Sequence, residues 1–495
     1  MAASHQRPVI VGGGPAGATA ARLLALWGHE PLVLTRDRAA DRSIAESVPP
    51  SCRRLFRHIA IEESFASAGF QPTTGNTVWW GSPEARVEWF PAGETGWQVR
   101  SSELESLLLR LASDAGAEVL GGRTVREVEG GRVLCTSGAE AEVHETDWVL
   151  DASGRSGVVA RAGLRRPFES AATLALAATW ETPKELDLAD PSHTLVESYA
   201  DGWAWSVPVS AAERFVAVMV DPRLTSLAAA AGSNRDGIYD GELAKTRALG
   251  PLLSSGRRLS EVLACDASCY SASAFAGPGF LLLGDAGSFI DPLSSYGVKK
   301  AISSGWLAAV CLRTLLEEED LTEACLELYD RRERQVFESY RRLSSLHFGE
   351  GGGAEPGRFW TERSMAAVSE LHEDDLRFDP AILREDADVL AAFAELKQRE
   401  AITLRVAPAV SVEPRAMVEG DRVVLADHLV GSWAPDGIRY LRDVELPRLA
   451  TAGRCATSVP ALFDAYNAAG VEAALPDFLG ALSVGLAKGL LIDEE

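Results

Sequence analysis

The stretch FLLLGDAGSFIDPLSSYGVKKAISSGWLAA, residues 280–309, is the most informative segment of this 495-residue chain. It opens with a short apolar run of the buried-strand type, and Gly284-Asp285 follows where the backbone must turn and leave a carboxylate exposed. A loop containing Pro292 and Gly297 then leads into a helical pattern that begins at Val298. The free N–H groups at the start of that helix would stabilise an anionic ring edge, and the carboxylate suits a ribityl hydroxyl.

A second motif, VIVGGGPAG at residues 9–17, predicts the site for the other end of the same ligand. Gly12, Gly14 and Gly17 complete G-x-G-x-x-G, and the pattern around them is strand, turn, small-residue helix and second strand. In this context the glycines allow a tight turn and bring a pyrophosphate close to the helix N-terminus. The two motifs together predict FAD, bound by a Rossmann-like domain.

The adenosine end of the second motif departs from the usual pattern. The acidic residue that normally ends the second strand and holds the ribose is absent, and Thr35 occupies its place. We therefore expect the ribose contact to come from Thr35, Arg36 or Asp37.

Four motifs in order make the chain resemble the FAD-dependent monooxygenases, specifically the branch that includes the flavin-dependent halogenases. Besides the two motifs above, they are AESVPPS at residues 45–51 and VLDASGRSG at residues 149–157. Within this branch, WAWSVP at residues 203–208 is similar to the halogenases' W-x-W-x-I-P. The segment SFIDPLSSYGVKKA, residues 288–301, is also similar to the flavin monooxygenases that hydroxylate a protein-bound tryptophan during the maturation of tryptophylquinone enzymes.

The resemblance implies two sets of site residues. The set expected to bind FAD is Gly12, Gly14, Pro15, Ala16, Gly17, Thr35, Arg36, Gln98, Arg100, Gly284, Asp285, Gly297 and Val298. The set expected beside the reacting ring is Glu46, Ser47, Pro292, Tyr296 and Gly297. Asp285 is expected on the ribityl chain, although a plain turn aspartate would fit the same position. Glu46 could equally be an ordinary loop carboxylate.

The resemblance also implies the chemistry, because in this family reduced FAD and dioxygen give an electrophilic oxygen suited to electron-rich aromatic rings. Halogenases additionally carry a lysine, located between the AES-type loop and the first substrate-domain strands, that receives hypohalous acid. This chain has no lysine before Lys184, and the corresponding segment reads TTGNTVWW at residues 73–80. Arginine replaces a compact amine poorly, and Ser294 stands where tryptophan halogenases carry a carboxylate. We therefore expect hydroxylation of an aromatic substrate, either a small molecule or a tryptophan side chain in a polypeptide.

Three alternatives stay open at this point: a flavin-dependent halogenase, a flavin reductase of the geranylgeranyl-reductase type, and a non-catalytic flavin-binding scaffold. The source of reducing equivalents is also open, either NAD(P)H at this protein or a partner flavin reductase. Trp203 and Trp205, at i and i+2 of a predicted strand, share one face. Core packing and an aromatic-lined substrate pocket both explain that pair.

Composition excludes several classes of function. A formal charge of −23 opposes broad binding to nucleic acid or anionic lipid, so neither is expected as a partner. The sequence has no signal-peptide pattern and no apolar stretch of membrane-spanning length, which predicts a cytoplasmic protein. Seven scattered cysteines do not suggest a disulfide framework, and Cys265 and Cys269 lack further ligands nearby, so no metal site is expected.

The patterns predict an α/β fold in three parts. A discontinuous FAD-binding domain is expected at residues 1–170 and 265–348, and an antiparallel-sheet substrate domain at residues 171–264. A Gly-rich linker at residues 349–357 then leads to a mainly helical, partly winged-helix-like domain at residues 358–495. That domain is either a helical cap on the flavin domain or a docking module for a partner protein, and its acidic charge disfavours DNA.

Overall fold

The fold is that of a computed structural model, which describes residues 7–37, 44–168, 172–182, 186–225, 234–354, 357–368, 380–454 and 456–494. The chain divides into two compact units, residues 1–370 and residues 371–495.

The first unit combines helices with several sheets. Its described helices are α1 (Pro15–Leu26), α2 (Arg53–His58), α3 (Glu62–Ala66), α4 (Ser101–Asp114), α5 (Arg235–Leu243), α6 (Leu249–Leu253), α7 (Gly297–Glu317), α8 (Thr322–Ala354) and α9 (Arg358–Val368). Its described strands are β1 (Val9–Val11), β2 (Leu32–Leu34), β3 (Ala45–Val48), β4 (Gln71–Thr73), β5 (Gly75–Trp79), β6 (Arg86–Trp89), β7 (Gly96–Arg100), β8 (Glu118–Leu120), β9 (Arg123–Glu129), β10 (Arg132–Ser137), β11 (Glu140–Glu145), β12 (Val149–Asp151), β13 (Arg165–Pro167), β14 (Leu174–Glu181), β15 (Thr194–Tyr199), β16 (Gly202–Ser210), β17 (Glu213–Val220), β18 (Leu263–Asp266), β19 (Tyr270–Ala272), β20 (Ala276–Gly277), β21 (Phe280–Leu282) and β22 (Ser288–Phe289).

A six-stranded sheet in the order β20-β21-β12-β1-β2-β8 forms the Rossmann-like layer. Its parallel core places Ile10 opposite both Leu150 and Val33, and all three are fully buried, as expected for a parallel sheet covered on both faces. α1 packs closely on α7 at Gly305, where an added Cβ would lie only 2.3 Å from the Ala16 carbonyl oxygen. The absence of a side chain at Gly305 permits this contact. The predicted strand, helix and second strand at the N-terminus are confirmed as β1, α1 and β2.

A seven-stranded sheet in the order β18-β14-β17-β16-β15-β5-β6 forms the second layer. The antiparallel sheet predicted within residues 171–264 is confirmed at β15, β16 and β17, which form a meander. One face of this sheet packs against α5 and α6 through a core that includes Leu176, Val216, Val218 and Tyr239. The opposite face is also apolar, and it borders a cavity.

The seven-stranded sheet is not confined to residues 171–264. β5 and β6, which the sequence-based boundaries assigned to the FAD-binding segment, join it through a parallel pairing of Val78 with Val196. The two layers are consequently interleaved along the chain. Local patterns predict that a segment is a strand, but they carry no information on which distant strand it pairs with.

The expected linker at residues 349–357 is helical as far as Ala354. Gly351 lies close to Trp360, since a Cβ there would lie 2.5 Å from the indole ring. Trp360 is fully buried, and its N–H donates to the Tyr199 carbonyl at 2.7 Å. α9 therefore packs within the first unit, and the second unit begins at residue 371 rather than at residue 358.

The second unit has its own core. Its described helices are α10 (Pro380–Glu385), α11 (Ala387–Leu396), α12 (Leu446–Gly453), α13 (Val459–Ala468) and α14 (Leu475–Ala487), and its described strands are β23 (Leu404–Val406), β24 (Ser411–Glu419), β25 (Arg422–Gly431), β26 (Ala434–Ile438), β27 (Tyr440–Leu441), β28 (Val444–Glu445) and β29 (Leu491–Asp493). Three helices, α12, α13 and α14, lie in the last part of the segment that was expected to be mainly helical. The three-stranded antiparallel sheet β24-β25-β26 was not expected, and it adds a β layer to the unit that the sequence predicted to be mainly helical.

Among the described residues, no helix combines the length and the apolar character needed to cross a membrane. The six cysteines within the described ranges are free thiols.

A buried carboxylate lies on α8. Glu333 is 4% exposed, and burial raises the pKa of its carboxyl to about 7, although the nearby Lys300 charge acts in the opposite direction. A carboxyl whose pKa is raised on folding stabilises the folded state at low pH, and that stabilisation is lost as the pH rises towards the folded-state pKa.

Replacing Glu333 with glutamine removes this titration. We predict that the unfolding free energy of the wild type falls by roughly 2 to 3 kcal/mol relative to Glu333→Gln between pH 5 and pH 8. Chemical denaturation at several pH values measures the difference, with Glu338→Gln, an exposed position on the same helix, as the control. Parallel pH profiles for the wild type and Glu333→Gln would contradict the prediction.

Candidate active site

A cavity of about 350 Å³ lies between the Rossmann-like layer and the open face of the seven-stranded sheet. Twelve of the residues predicted from the sequence line it: Gly12, Gly14, Pro15, Ala16, Thr35, Arg36, Glu46, Ser47, Asp285, Pro292, Gly297 and Val298. Two motifs separated by more than 260 residues of sequence thus border one cavity.

The glycines of the N-terminal motif have different roles in the turn before α1 and in the first turn of that helix. Gly12 has a φ of +105°, and a Cβ there would lie 2.4 Å from the Ala152 carbonyl oxygen. A Cβ on Gly17 would lie 2.0 Å from the Gly12 carbonyl oxygen, and Gly17 does not line the cavity. Both glycines therefore permit close backbone packing. Gly14 instead faces open space, because the atom nearest to a Cβ added there would be Glu105 Oε1, at 3.9 Å.

The start of α1 offers unsatisfied backbone donors. Its N-cap is Gly14, which has no side chain to accept from the first turn, and Pro15 follows at the first helical position. Free N–H groups together with the positive end of the helix dipole form an anion-binding site. This arrangement fits a pyrophosphate.

The adenosine end of the cavity is only partly as expected. Thr35 and Arg36 line it, whereas Asp37 does not, because its carboxylate lies beside Gly121 and Gly122. Arg123 also lines this end and was not predicted. Its position at the start of a strand gave no local signal of a ligand.

Arg123 belongs to a polar cluster on the β9–β11 meander. Cys135, Glu142 and His144 place potential metal-ligand atoms within 4.8 Å of one another. The Glu142 carboxylate, however, accepts from Arg123 Nη2 at 3.2 Å and from its Nε at 3.4 Å. Because a guanidinium already neutralises this carboxylate, we assign no metal to the cluster.

The other end of the cavity is built by the Gly284-Asp285 turn and the start of α7. Asp285 lines the cavity with its side chain 35% exposed, while Gly284, with a φ of +56°, forms the turn behind it. Asp291 accepts from the Leu293 N–H at 3.1 Å, and burial raises the pKa of its carboxyl to about 6. This capped turn holds Pro292 at the cavity.

The N-terminus of α7 resembles that of α1 in having no side-chain cap. Gly297 and Val298 line the cavity, so the free N–H groups of this 21-residue helix are available at its wall. Tyr296, expected beside the ring, does not line the cavity; its ring packs on Tyr340 at 4.8 Å between centroids. Only its backbone position, as the N-cap, belongs to the site.

Gln98 and Arg100 were also expected at the cofactor, and neither lines the cavity. Arg100 is ion-paired with Glu213. Gln98 is 1% exposed and donates through Nε2 to Thr194 Oγ1 at 2.9 Å, and Thr194 donates in turn to Ser47 Oγ at 3.1 Å. Gln98 therefore supports Ser47 from behind, since Ser47 and Thr194 both line the cavity.

The sheet wall of the cavity is apolar and aromatic. Cross-strand pairing places Trp203 opposite Met219 and Trp205 opposite Ala217, on one face, as the i, i+2 spacing predicted. The apolar residues of this face that line the cavity are Ala175, Ala177, Val196, Trp203, Trp205, Phe215, Ala217, Met219 and Leu263, and Thr194 and Cys265 line it from the same face. The indole N–H groups of both tryptophans are buried and have no hydrogen-bond acceptor in the described part of the protein. Buried donors of this kind are costly unless a ligand satisfies them.

The motif VLDASGRSG contributes five consecutive cavity residues, 152–156, that were not singled out from the sequence. Arg155, in VLDASGRSG, lines the cavity and donates to the Asp266 carbonyl at 2.6 Å. Its guanidinium carbon also lies 5.6 Å from the centroid of the Phe289 ring. The motif itself was the available signal, although it does not distinguish which of its residues reaches the ligand.

This combination of a Rossmann-like site and an aromatic sheet wall agrees with the family comparison. The model of the tryptophan halogenase family matches residues 91–396, more than half of the chain. The chain therefore belongs to the tryptophan halogenase family of flavin-dependent enzymes.

Individual relatives are distant. The tryptophan 2-halogenase of Chondromyces crocatus is 28% identical over 379 residues, which cover 73% of this chain and 71% of the relative. The sulochrin halogenase gedL of Aspergillus terreus is 29% identical over 348 residues, which cover 63% of each. The alignment thus spans under two thirds of the second relative.

Two solved structures share the fold over nearly the whole chain. CmlS, described as a flavin-dependent halogenase, has a TM-score of 0.78 at 23% identity and covers 100% of this chain and 96% of its own. QhpG, described as a peptidyl tryptophan dihydroxylase, has a TM-score of 0.66 at 22% identity and covers 93% of this chain and 95% of its own.

FAD is the cofactor that the family implies, and the residues present fit it. The uncapped start of α1 suits the pyrophosphate, Asp285 suits the ribityl chain, and the uncapped start of α7 suits the anionic edge of the ring.

We predict that Gly14→Val abolishes FAD binding and leaves the fold intact. Gly14 has ordinary extended backbone angles and open space beside it, so valine fits the protein but occupies the place of the pyrophosphate. Flavin fluorescence measures binding and thermal denaturation measures folding. Gly241→Val, which places the same side chain in open space on α5, is the control. Normal FAD occupancy in Gly14→Val would show that the pyrophosphate binds elsewhere.

Proposed function

We propose that this protein is an FAD-dependent monooxygenase that hydroxylates an electron-rich aromatic ring. The observation that carries the proposal is the segment of residues 73–80, where the resemblance to halogenases calls for a lysine. This segment carries threonines there, and their hydroxyl groups are engaged in hydrogen bonds within the protein.

The threonine hydroxyl groups of that segment form hydrogen bonds with other groups of the protein. Thr77 Oγ1 lies 3.0 Å from His193 Nδ1, and His193 Nε2 lies 3.1 Å from Thr74 Oγ1. Thr74 Oγ1 also donates to Asp190 Oδ2 at 2.6 Å. Thr73 is fully buried and donates to the Gly75 carbonyl at 3.2 Å. The hydroxyl groups of Thr73, Thr74 and Thr77 are thus hydrogen-bonded within the protein, so they are poorly placed to hold a hypohalous species.

The cations at the cavity wall also favour hydroxylation over halogenation. In the part of the chain that the structure describes, the cavity is lined by Arg36, Arg123 and Arg155 and by no lysine. Guanidinium groups are planar and remain protonated, and they substitute poorly for a compact amine. Lys184 lies outside the described residues.

The sheet wall favours an aromatic substrate. Its apolar face can bury a planar ring, and the indole N–H groups of Trp203 and Trp205 can donate to an oxygen or carbonyl substituent on it. When bound and reduced, FAD supplies the electrophilic oxygen from dioxygen. The residues of the chain then bind the cofactor, orient the ring and exclude water.

Halogenation is the second candidate, and the family match and the shared face of Trp203 and Trp205 favour it. The fold does not decide between the two reactions, because CmlS is described as a halogenase and QhpG as a dihydroxylase. A partner flavin reductase or NAD(P)H would supply the electrons in either case.

The two reactions differ in the mass of the product. The test is turnover with reduced FAD, dioxygen and high bromide or chloride on a panel of indoles, phenols and tryptophan-containing peptides. We expect products that have gained oxygen and no halogen, and none with Gly14→Val, which serves as the control for free flavin chemistry. A regioselectively halogenated product that depends on the wild-type protein would overturn the proposal.

A further inference from the structure

We propose that Lys300 is a positioning residue for the cofactor, whose buried ammonium group fixes and neutralises the Asp285 carboxylate at the cavity wall. The inference concerns FAD binding, and it holds whether the bound enzyme hydroxylates or halogenates.

Lys300 reaches Asp285 from within the protein. It lies in the first turn of α7, and its side chain is 1% exposed. Its Nζ lies 3.3 Å from Asp285 Oδ1 and also donates to the Ser288 carbonyl. Within the described residues, Lys300 is the hydrogen-bond donor to the Asp285 side chain from the protein. The outward side of that carboxylate is left for a ligand.

The backbone around Asp285 is held by other groups. Gly284 N donates to Ser304 Oγ at 2.9 Å, and Tyr329 donates to the Leu282 carbonyl at 3.0 Å. Tyr270 donates to the Asp285 carbonyl at 2.6 Å. These three contacts fix the turn itself, so the contribution specific to Lys300 is the orientation and charge of the carboxylate.

A second carboxylate explains why a buried ammonium group is tolerated. Glu333 is 4% exposed, has one oxygen without a hydrogen-bond partner among the described residues, and interacts electrostatically with Lys300. A buried charge is costly unless it is compensated, and removing one member of such a group leaves the others uncompensated. Lys300 therefore interacts with two acidic groups, Asp285, which faces the ligand, and Glu333, which is buried.

Because FAD is negatively charged, the positive charge of Lys300 beside Asp285 matters for cofactor binding. The pyrophosphate of FAD is anionic, and the chain itself carries a formal charge of −23. The Asp285 carboxylate by itself would repel the cofactor, although its hydrogen bond to a ribityl hydroxyl is favourable. Two cations offset this repulsion: Arg155, which also lines the cavity, and Lys300, which in addition donates a hydrogen bond to the carboxylate from within the protein. The positive charge of Lys300 reduces the repulsion between Asp285 and the anionic cofactor, and it leaves the hydrogen bond from the ribityl hydroxyl to Asp285 in place.

A double-mutant cycle on FAD affinity tests the proposal, with Lys300→Met, Asp285→Asn and the double variant. We expect Lys300→Met to weaken FAD binding about tenfold and Asp285→Asn about ten- to a hundredfold. If Lys300 acts through Asp285, the double variant binds FAD within about threefold of Asp285→Asn. Lys299→Met is the control, because Lys299 lies on the same helix beside the Tyr296 ring and its substitution removes the same charge.

The flavin midpoint potential separates positioning from a general effect on folding. Losing the Lys300 charge should make the potential more negative, and losing the Asp285 charge should make it more positive. The double variant should return close to the wild type.

Three results would overturn the proposal. They are an unchanged FAD affinity in Lys300→Met, a loss of binding free energy in the double variant equal to the sum of the two single losses, or midpoint potentials of the two single variants that shift in the same direction. If Lys300→Met does not fold, the cycle is run in a Glu333→Gln background, where the substitution leaves no buried carboxylate uncompensated. Additive losses in that background overturn the proposal equally.

Discussion

Two helices that begin at one cavity without a side-chain cap are the constraint on which the site depends. The starts of α1 and α7 leave backbone N–H groups unsatisfied, and a buried helix end without partners is unfavourable. An elongated anion that reaches both ends satisfies these donors together. The close packing of α1 on α7, which the glycine at residue 305 permits, sets the distance between the two helix starts.

The substrate side of the cavity depends on long-range pairing. The seven-stranded sheet collects strands from three separated parts of the chain, and only one of its faces is covered by α5 and α6. The other face holds the paired tryptophans towards the cofactor side. After β18, the last strand of this sheet along the chain, the chain re-enters the Rossmann-like layer at β20 and β21 and reaches the Gly284-Asp285 turn. A short stretch of chain therefore connects the two walls of the cavity.

The sequence predicted the parts of the fold that are encoded locally. The N-terminal glycine motif, the turn at Asp285 and the meander were recognisable from residue spacing alone. The predicted linker is instead helical, because contact between Gly351 and the buried Trp360 outweighs the low helix propensity of glycine. The sequence also did not predict the direction of individual side chains. Gln98 and Arg100 lie on a strand, and they contact Thr194 and Glu213 rather than the cavity.

A single ligand that spans both helix starts must be longer than FMN, and a comparison of two flavins tests this claim. Flavin-free protein is titrated with FAD and with FMN, and bound flavin is followed by its fluorescence. FMN carries the ring and the ribityl chain but only one phosphate, so it cannot reach across the start of α1. We predict one FAD per chain, bound on the order of a hundredfold more tightly than FMN. Equal affinity for the two flavins would contradict the claim.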